Sequence, residues 1–167
     1  MNAIVCVDRN WGIGKNGELL VNIPADRHFF RGLTTGGVVL GGRKTMEALP
    51  GGVVLSERLN IVLTKQPDYQ FEDAEIVHSR AEALDVLRFQ DDKHIFVIGG
   101  GTVYQTFLRY CDQVYVTKVG ASFEADTFFP NLDQKEEWEV TWKSELQSYQ
   151  DIPFAFYQYC RKTAKAK

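Results

Sequence analysis

Five short apolar runs constrain the fold of this chain more than any other feature. They are Ala3–Val7 (AIVCV), Val38–Leu40 (VVL), Asn60–Leu63 (NIVL), His94–Ile98 (HIFVI) and Gln113–Thr117 (QVYVT). A strand with one wet face alternates apolar and polar side chains, whereas a strand covered on both faces reads as a nearly unbroken apolar run. AIVCV and HIFVI are of the second kind, which predicts the centre of a parallel or mixed sheet. Helices are expected between the runs. Pro24 suits a first helical position, where its missing N–H would be orphaned anyway. Arg43–Leu49 follows the second run and is stopped by Pro50, Gly51 and Gly52. Ser79 and Glu82 stand at capping-box spacing, opening a helix to about Phe89 with Ala83, Leu84 and Leu87 as its apolar stripe. A further helix is expected from Thr102 to about Arg109. Trp138–Ser144 and Phe154–Cys160 alternate more clearly around a turn-like break, Ser148–Asp151, as in a closing antiparallel pair. The expected fold is a single α/β domain with a mixed, mostly parallel central sheet flanked by helices and a C-terminal antiparallel hairpin.

A chain of 167 residues that is 44% hydrophobic can bury one substantial core. Residues 1–162 are expected to form that domain and 163–167 a frayed tail. The net charge of −3 gives no reason to expect a nucleic-acid or membrane partner. Cys6, Cys111 and Cys160 are odd in number and lack CxxC spacing, so reduced thiols and a cytoplasmic location are expected. Asp8 and Arg9 break the N-terminal apolar run, so no signal peptide is expected. No run reaches the roughly 18 apolar residues of a membrane span.

In α/β sheets, ligands bind at the carboxyl ends of strands. Three such ends here carry related residues: Gly41-Gly42-Arg43-Lys44-Thr45, Thr64-Lys65 and Gly99-Gly100-Gly101-Thr102. Each offers free backbone N–H groups, small side chains or a cation, and two open helices, whose N-termini attract anions. Two lie on strands expected to be neighbours and could hold the two ends of a dinucleotide. Neither is a GxGxxG fingerprint or a Walker A loop. Arg43 and Lys44 sit where the helix dipole disfavours cations, which suggests an external anion, and Arg suits a phosphate monoester better than a ribose diol.

The stretch Trp11–Leu33 starts as a pliable loop containing Gly12, Gly14 and Gly17 and ends as the helix begun by Pro24. Asp26 lies in its first turn, with Phe29 and Phe30 three and four positions on and so near the same face. A carboxylate aligned with aromatics suits a flat, nitrogen-rich ring. Metal chemistry finds no support, because His28, His78 and His94 have no ligand spacing and no HExxH is present. A serine hydrolase is equally unsupported without GxSxG.

These blocks, taken in order, resemble the dihydrofolate reductase family over almost the full chain. They are Gly12-Ile13-Gly14-Lys15-Asn16-Gly17, Leu19, Ile23-Pro24-Ala25-Asp26, Gly42-Arg43-Lys44-Thr45, Asn60–Thr64, Ile98–Gly101 with Val103-Tyr104, and Asp126–Pro130. The resemblance implies NADPH-dependent reduction of 7,8-dihydrofolate. It makes Asp26 the carboxylate that grips the pterin, supported by Thr117, with Leu19 at the reacting rings. Ile4, Val5, Cys6, Leu19, Phe30 and Leu49 would line the substrate pocket. Arg27 joins that set, and Arg58 would pair with the α-carboxylate of the glutamyl tail. Ile98 and Tyr104 would lie beside and behind the nicotinamide. Cys6, Ile13, Gly14, Asn16, Gly17 and Leu19 would border the cofactor under a mobile loop. Arg43, Thr64 and Lys65 would hold its 2′-phosphate, with Leu63 and Ser79 nearby. Gly100, Gly101 and Thr102, with Lys44 and Thr45, would cradle the pyrophosphate, and Gly42, Gly99, Val103 and Thr127 would complete the cofactor site. The implied partners are dihydrofolate and antifolates such as trimethoprim or methotrexate, and the implied state is a monomer.

The chain departs from the family pattern in places. Leu20-Val21 stand where most members read Pro-Trp, Gly41 replaces a larger apolar residue, and Met46 replaces Trp or Phe. Arg58 follows Ser56-Glu57 and not Pro-Gly. These changes thin the aromatic content around the ring, and Leu20 and Val21 predict a roomier pocket with altered affinity for folates or antifolates. Asp26 together with Arg58 favours folate over the pyrimidine substrates of the related riboflavin-pathway reductases, which carry a ribityl chain and no glutamate. A pterin- or nucleotide-binding module without turnover is the remaining alternative.

Overall fold

The computed structural model describes residues 1–162. In chain order it contains β1 (Asn2–Val7), β2 (Gly12–Lys15), β3 (Glu18–Leu19), α1 (Pro24–Thr34), β4 (Val38–Gly42), α2 (Arg43–Glu47), β5 (Leu59–Leu63) and β6 (Glu75–Val77). Then come α3 (Arg80–Leu87), β7 (Ile95–Gly99), α4 (Gly101–Phe107), β8 (Gln113–Val119), β9 (Thr127–Phe128), β10 (Trp138–Lys143), β11 (Gln147–Tyr149) and β12 (Ile152–Arg161). The main sheet runs β10-β12-β8-β1-β7-β4-β5-β6. From β8 to β6 all neighbours are parallel, while β12 is antiparallel to β8 and β10 and β11 are antiparallel to β12.

The apolar runs are unbroken because both faces of the sheet are covered. Ala3, Val5 and Val7 of β1, Val38 and Leu40 of β4, and Ile95 and Val97 of β7 enter one large cluster with Phe107, Trp138 and Tyr159. The alternate residues Ile4, Val39 and Phe96 enter a second cluster on the other face, with Phe30, Leu33, Leu55, Ile98 and Tyr115 packed against it. Phe107 is fully buried; shielding a side chain of that size stabilises by about 1.5–3 kcal/mol. The topology also sets β7, β4 and β5 side by side, so their carboxyl ends form one row of three junctions.

Three expectations change. The pliable glycine loop is a hairpin, β2–β3, turned at Asn16 and Gly17 with φ of 53° and 80°. Two positive φ values are what a two-residue hairpin turn with the sheet's own twist requires, and Asn-Gly supplies them. β2 also pairs with β9, and the Asn16 N–H donates to Asp126 Oδ2 at 2.9 Å, so the hairpin is pinned from over 100 residues away. Ser148 and Tyr149, expected in a turn, belong to β11. The turn shrinks to Gln150 and Asp151, both at positive φ. Phe29 and Phe30 do not share one surface. Phe29 stacks on Phe156 with centroids 4.2 Å apart, while Phe30 enters the cluster of Ile4, Val39 and Phe96. Helix α1 thus straddles two apolar clusters. Boundaries shift as well: α3 ends at Leu87, leaving Phe89 exposed, and α2 ends at Glu47. The expected tail, 163–167, lies outside the described residues. Among those residues no helix is long and apolar enough to cross a membrane.

Candidate active site

Asp26 lies in the first turn of α1, where a carboxylate complements the helix dipole. It is half-buried, and its Oδ1 accepts a 2.6 Å hydrogen bond from the Thr117 hydroxyl on β8. Burial raises its pKa above the ordinary carboxylate range, and the Thr117 bond partly offsets this. Cys6 stands opposite Thr117 in the β1–β8 register. Burial, then the charges of Asp26 and Asp8, push its thiol pKa well up, which disfavours the thiolate. Tyr104 of α4 donates its hydroxyl to the Ile4 carbonyl at 2.6 Å and meets Phe129 edge-on. One end of the candidate site is therefore built by α1, β1, β7, β8 and α4: polar at Asp26 and Thr117, apolar at Ile4, Phe30 and Ile98.

The expected substrate residues are distributed unevenly around this end. Ile4, Phe30 and Ile98 share one cluster, whereas the Val5 side chain points into the large cluster on the opposite face. Leu49 is half-buried, Arg27 is exposed on α1, and Leu19 at the end of the hairpin is 74% exposed. Arg58 sits before β5, and its Nε is a buried nitrogen with no hydrogen-bond partner. Burial holds the Arg58 guanidinium below its usual pKa, and the charge of Arg31 adds to this while Glu57 opposes it.

The row of three junctions makes the other end. Neither α2 nor α4 has a side-chain cap, so the first N–H groups of both are open. The Gly99–Gly100 peptide is cis, and Gly99 has a φ of 117°, which only glycine holds without strain. A Cβ on Gly101 would lie 2.7 Å from Thr127 Cγ2, and one on Gly100 would lie 3.3 Å from Thr45 Oγ1. A side chain at Gly101 would therefore force Thr127 to move, and one at Gly100 would crowd Thr45. Lys44, Lys65 and Thr102 are exposed around this backbone, and Thr64 is buried at the end of β5. Arg43 is tied to Glu47 at 3.2 Å, and Glu47 also accepts from the Tyr69 hydroxyl at 2.9 Å. An internal carboxylate thus partly fills the role the sequence reserved for an external anion. The Ser79 hydroxyl accepts from the Glu82 N–H at 3.1 Å as the cap of α3. Ile13, Gly14, Asn16, Gly17 and Leu19 ride on the hairpin, and Thr127 lies on the strand paired with it. Open backbone donors and the three cations Arg43, Lys44 and Lys65 fit a phosphorylated dinucleotide.

Two features escape a reading of the sequence. Asp8 is 4% exposed, and its carboxylate accepts from the N–H groups of Asn10, Gly12 and Phe123 at 2.8–2.9 Å, joining the base of the hairpin to the chain after β8. In sequence it only interrupts an apolar run. Asn60 is the second; its position as the polar member of NIVL was the available signal. A cavity of about 330 Å³ beside Trp11, Lys118 and Tyr157 lies apart from Asp26 and Thr117. Its Lys118 is already bound to Asp133 at 2.7 Å.

Two of the departures from the family pattern explain each other. Met46 is fully buried, and a Cβ on Gly41 would lie 3.0 Å from its sulfur and 3.1 Å from Ile98. The thioether takes the room a larger residue at 41 would need.

The family described as dihydrofolate reductase matches residues 1–161. The chain is 34% identical to the dihydrofolate reductase of Staphylococcus haemolyticus over 165 residues, 96% of each chain. It is 34% identical to that of Bacillus subtilis strain 168 over 160 residues, 93% of this chain and 92% of the relative. It is similar in structure to an Enterococcus faecalis dihydrofolate reductase complexed with NADP(H) and RAB-propyl. The TM-score is 0.85 at 32% identity, covering 97% of this chain and 96% of that one.

Proposed function

The chain belongs to the dihydrofolate reductase family, and from that premise we propose how its residues divide the work of NADPH-dependent reduction of 7,8-dihydrofolate to 5,6,7,8-tetrahydrofolate. The protein is an oxidoreductase of folate metabolism that uses NADPH. NADPH, when bound, supplies the hydride that reaches pterin C6.

Asp26 grips the pterin through the ring's N3 and 2-amino edge. The observation that carries this reading is the Thr117–Asp26 hydrogen bond of 2.6 Å, which fixes one carboxylate oxygen and leaves the other for the ring. Held in that way, Asp26 lies at the far end of the pterin from N5. It favours the cationic ring electrostatically, while water brings the proton to N5. Ile4, Phe30 and Ile98 supply the flat apolar walls, and Arg58 takes the tail carboxylate. Arg43, Thr64 and Lys65 hold the cofactor's 2′-phosphate. Thr45 and the backbone of Gly100 to Thr102 hold its pyrophosphate. The β2–β3 hairpin covers the reacting rings with Leu19 and excludes bulk water from the hydride step. Orientation is the protein's largest contribution to rate.

The reductase domain in this reading is residues 1–162, working as a monomer in the cytoplasm and inhibited by trimethoprim or methotrexate. A spectrophotometric assay of NADPH oxidation tests it. Oxidation should require dihydrofolate and should not occur with a ribityl-substituted pyrimidine; the reverse preference would replace this reading.

A further inference from the structure

Asn60 is 1% exposed and is the polar exception in the buried strand β5. Its side chain makes three hydrogen bonds, all to the backbone just before it. Oδ1 accepts from the Leu55 N–H at 2.9 Å, and Nδ2 donates to the Leu55 carbonyl at 2.8 Å and to the Arg58 carbonyl at 2.9 Å. Segment 55–58, which lies outside any strand, is thereby closed onto the start of β5. Two further contacts join it to the end of α1: the Gly36 N–H donates to the Glu57 carbonyl at 2.8 Å, and the Leu55 side chain packs in the cluster that holds Phe30 and Leu33.

The residue so placed is Arg58. Its buried Nε lacks a partner, and among the described residues its guanidinium makes no ion pair. An unpaired buried donor on a cation is costly, the more so near a second guanidinium at Arg31. A guanidinium whose planar fork has no carboxylate partner among the described residues suits one arriving from outside. The fork can serve only if its backbone is fixed, and Asn60 fixes it.

We infer that Asn60 is a positioning residue for substrate affinity: by clamping Leu55 and Arg58 it holds the Arg58 guanidinium where the carboxylate of the glutamyl tail arrives, and it does not act on the hydride step. The inference rests on the tail-binding reading of Arg58 proposed above. It assigns Asn60 a part in discriminating tailed from tailless substrates.

The test compares 7,8-dihydrofolate with 7,8-dihydropteroate, which has the same pterin and aminobenzoate but no glutamate. Asn60→Ser and Asn60→Ala should raise KM for dihydrofolate about tenfold, as loss of buried hydrogen bonds permits. They should leave kcat within about twofold of the parent. KM for dihydropteroate should stay at the parental value in both variants. In an Arg58→Ala background, Asn60→Ser should add nothing further, because the group it positions is gone. An equal rise for both substrates, a fall confined to kcat, or additivity with Arg58→Ala would overturn the inference. So would loss of cooperative melting in both variants, which would make Asn60 a folding residue only. If Arg58→Ala itself affects both substrates equally, the tail-binding reading fails and the inference falls with it. If Arg58→Ala discriminates and the Asn60 variants do not, the inference alone fails.

Discussion

Thr117 donates its hydroxyl proton to Oδ1 of Asp26 across 2.6 Å, tying β8 to α1 over 91 positions of sequence. The strand side of this bond is rigid, because Thr117 lies between Cys6 on β1 and Phe156 on β12 in register. The helix side carries a carboxylate whose ionised form burial disfavours. Together they hold an acid in one orientation with its pKa raised.

Asp26 makes the fold less stable as pH rises. Its folded pKa lies above its unfolded value, so its favourable contribution is complete below the unfolded value and is lost as pH rises through the folded one. Asp26→Asn should therefore raise Tm by a few degrees at mildly alkaline pH and by nothing in acid. Thermal melts across pH check this; a variant less stable than the parent at alkaline pH would show that the carboxylate is stabilised by a partner other than Thr117.

Thr117→Val keeps the shape of a side chain that is 2% exposed and removes the one bond that lowers the Asp26 pKa. The pH dependence of the hydride step should shift to higher pH. A profile superimposable on the parent's would mean that the bond has no electrostatic role.

Arg43→Ala should weaken NADPH about tenfold or more and NADH little, since a charged hydrogen bond to the 2′-phosphate is removed. The Arg43–Glu47 pair at 3.2 Å is exposed and contributes little to stability, so Tm should hardly move. Dissociation constants for the two cofactors decide it; equal losses contradict the phosphate role.

Gly101→Ala would bring a Cβ to 2.7 Å from Thr127 Cγ2 on the strand paired with the hairpin. NADPH affinity should fall about tenfold, the scale expected for overpacking. The added change Thr127→Ser removes that methyl and should restore most of the loss. Failure of the second change to rescue would place the damage in the backbone of α4.

Val21 is half-buried against the cluster of Ile23, Phe154 and Phe156 and carries no hydrogen-bond donor in its side chain. Val21→Trp should tighten trimethoprim several-fold by filling the pocket and supplying an indole N–H. Inhibition constants equal to the parent's would show that residue 21 does not shape the pocket.

What could be read from the sequence follows from where the information lies. HIFVI announces β7 because both faces of that strand are buried, so each residue testifies independently. The capping box at Ser79 and Glu82 marks the start of α3 because its contacts are local. The hairpin β2–β3 is hidden because its stability comes from β9, more than a hundred residues on, and its glycines suggest looseness when seen alone. Strand β11 is hidden for a similar reason: QSY is polar and pairs only through its turn. At the site, chain order brings Asp26 into view, whereas Thr117, its partner from β8, is expected only through the family resemblance. The orphaned Nε of Arg58 and the Asn60 clamp belong to three dimensions, and the sequence shows only an asparagine at the head of an apolar run.

The central claim is that Asp26 sets the charge of the bound pterin. The most direct measurement is single-turnover hydride transfer, followed across pH with NADPH and dihydrofolate, in the parent and in Asp26→Asn. In the parent the rate should fall as pH rises through the elevated pKa of the Asp26–substrate pair. In Asp26→Asn it should drop about a hundredfold or more near neutrality and recover toward acid, where solvent protons replace the missing electrostatic support. Parental rates at every pH in the variant would contradict the account.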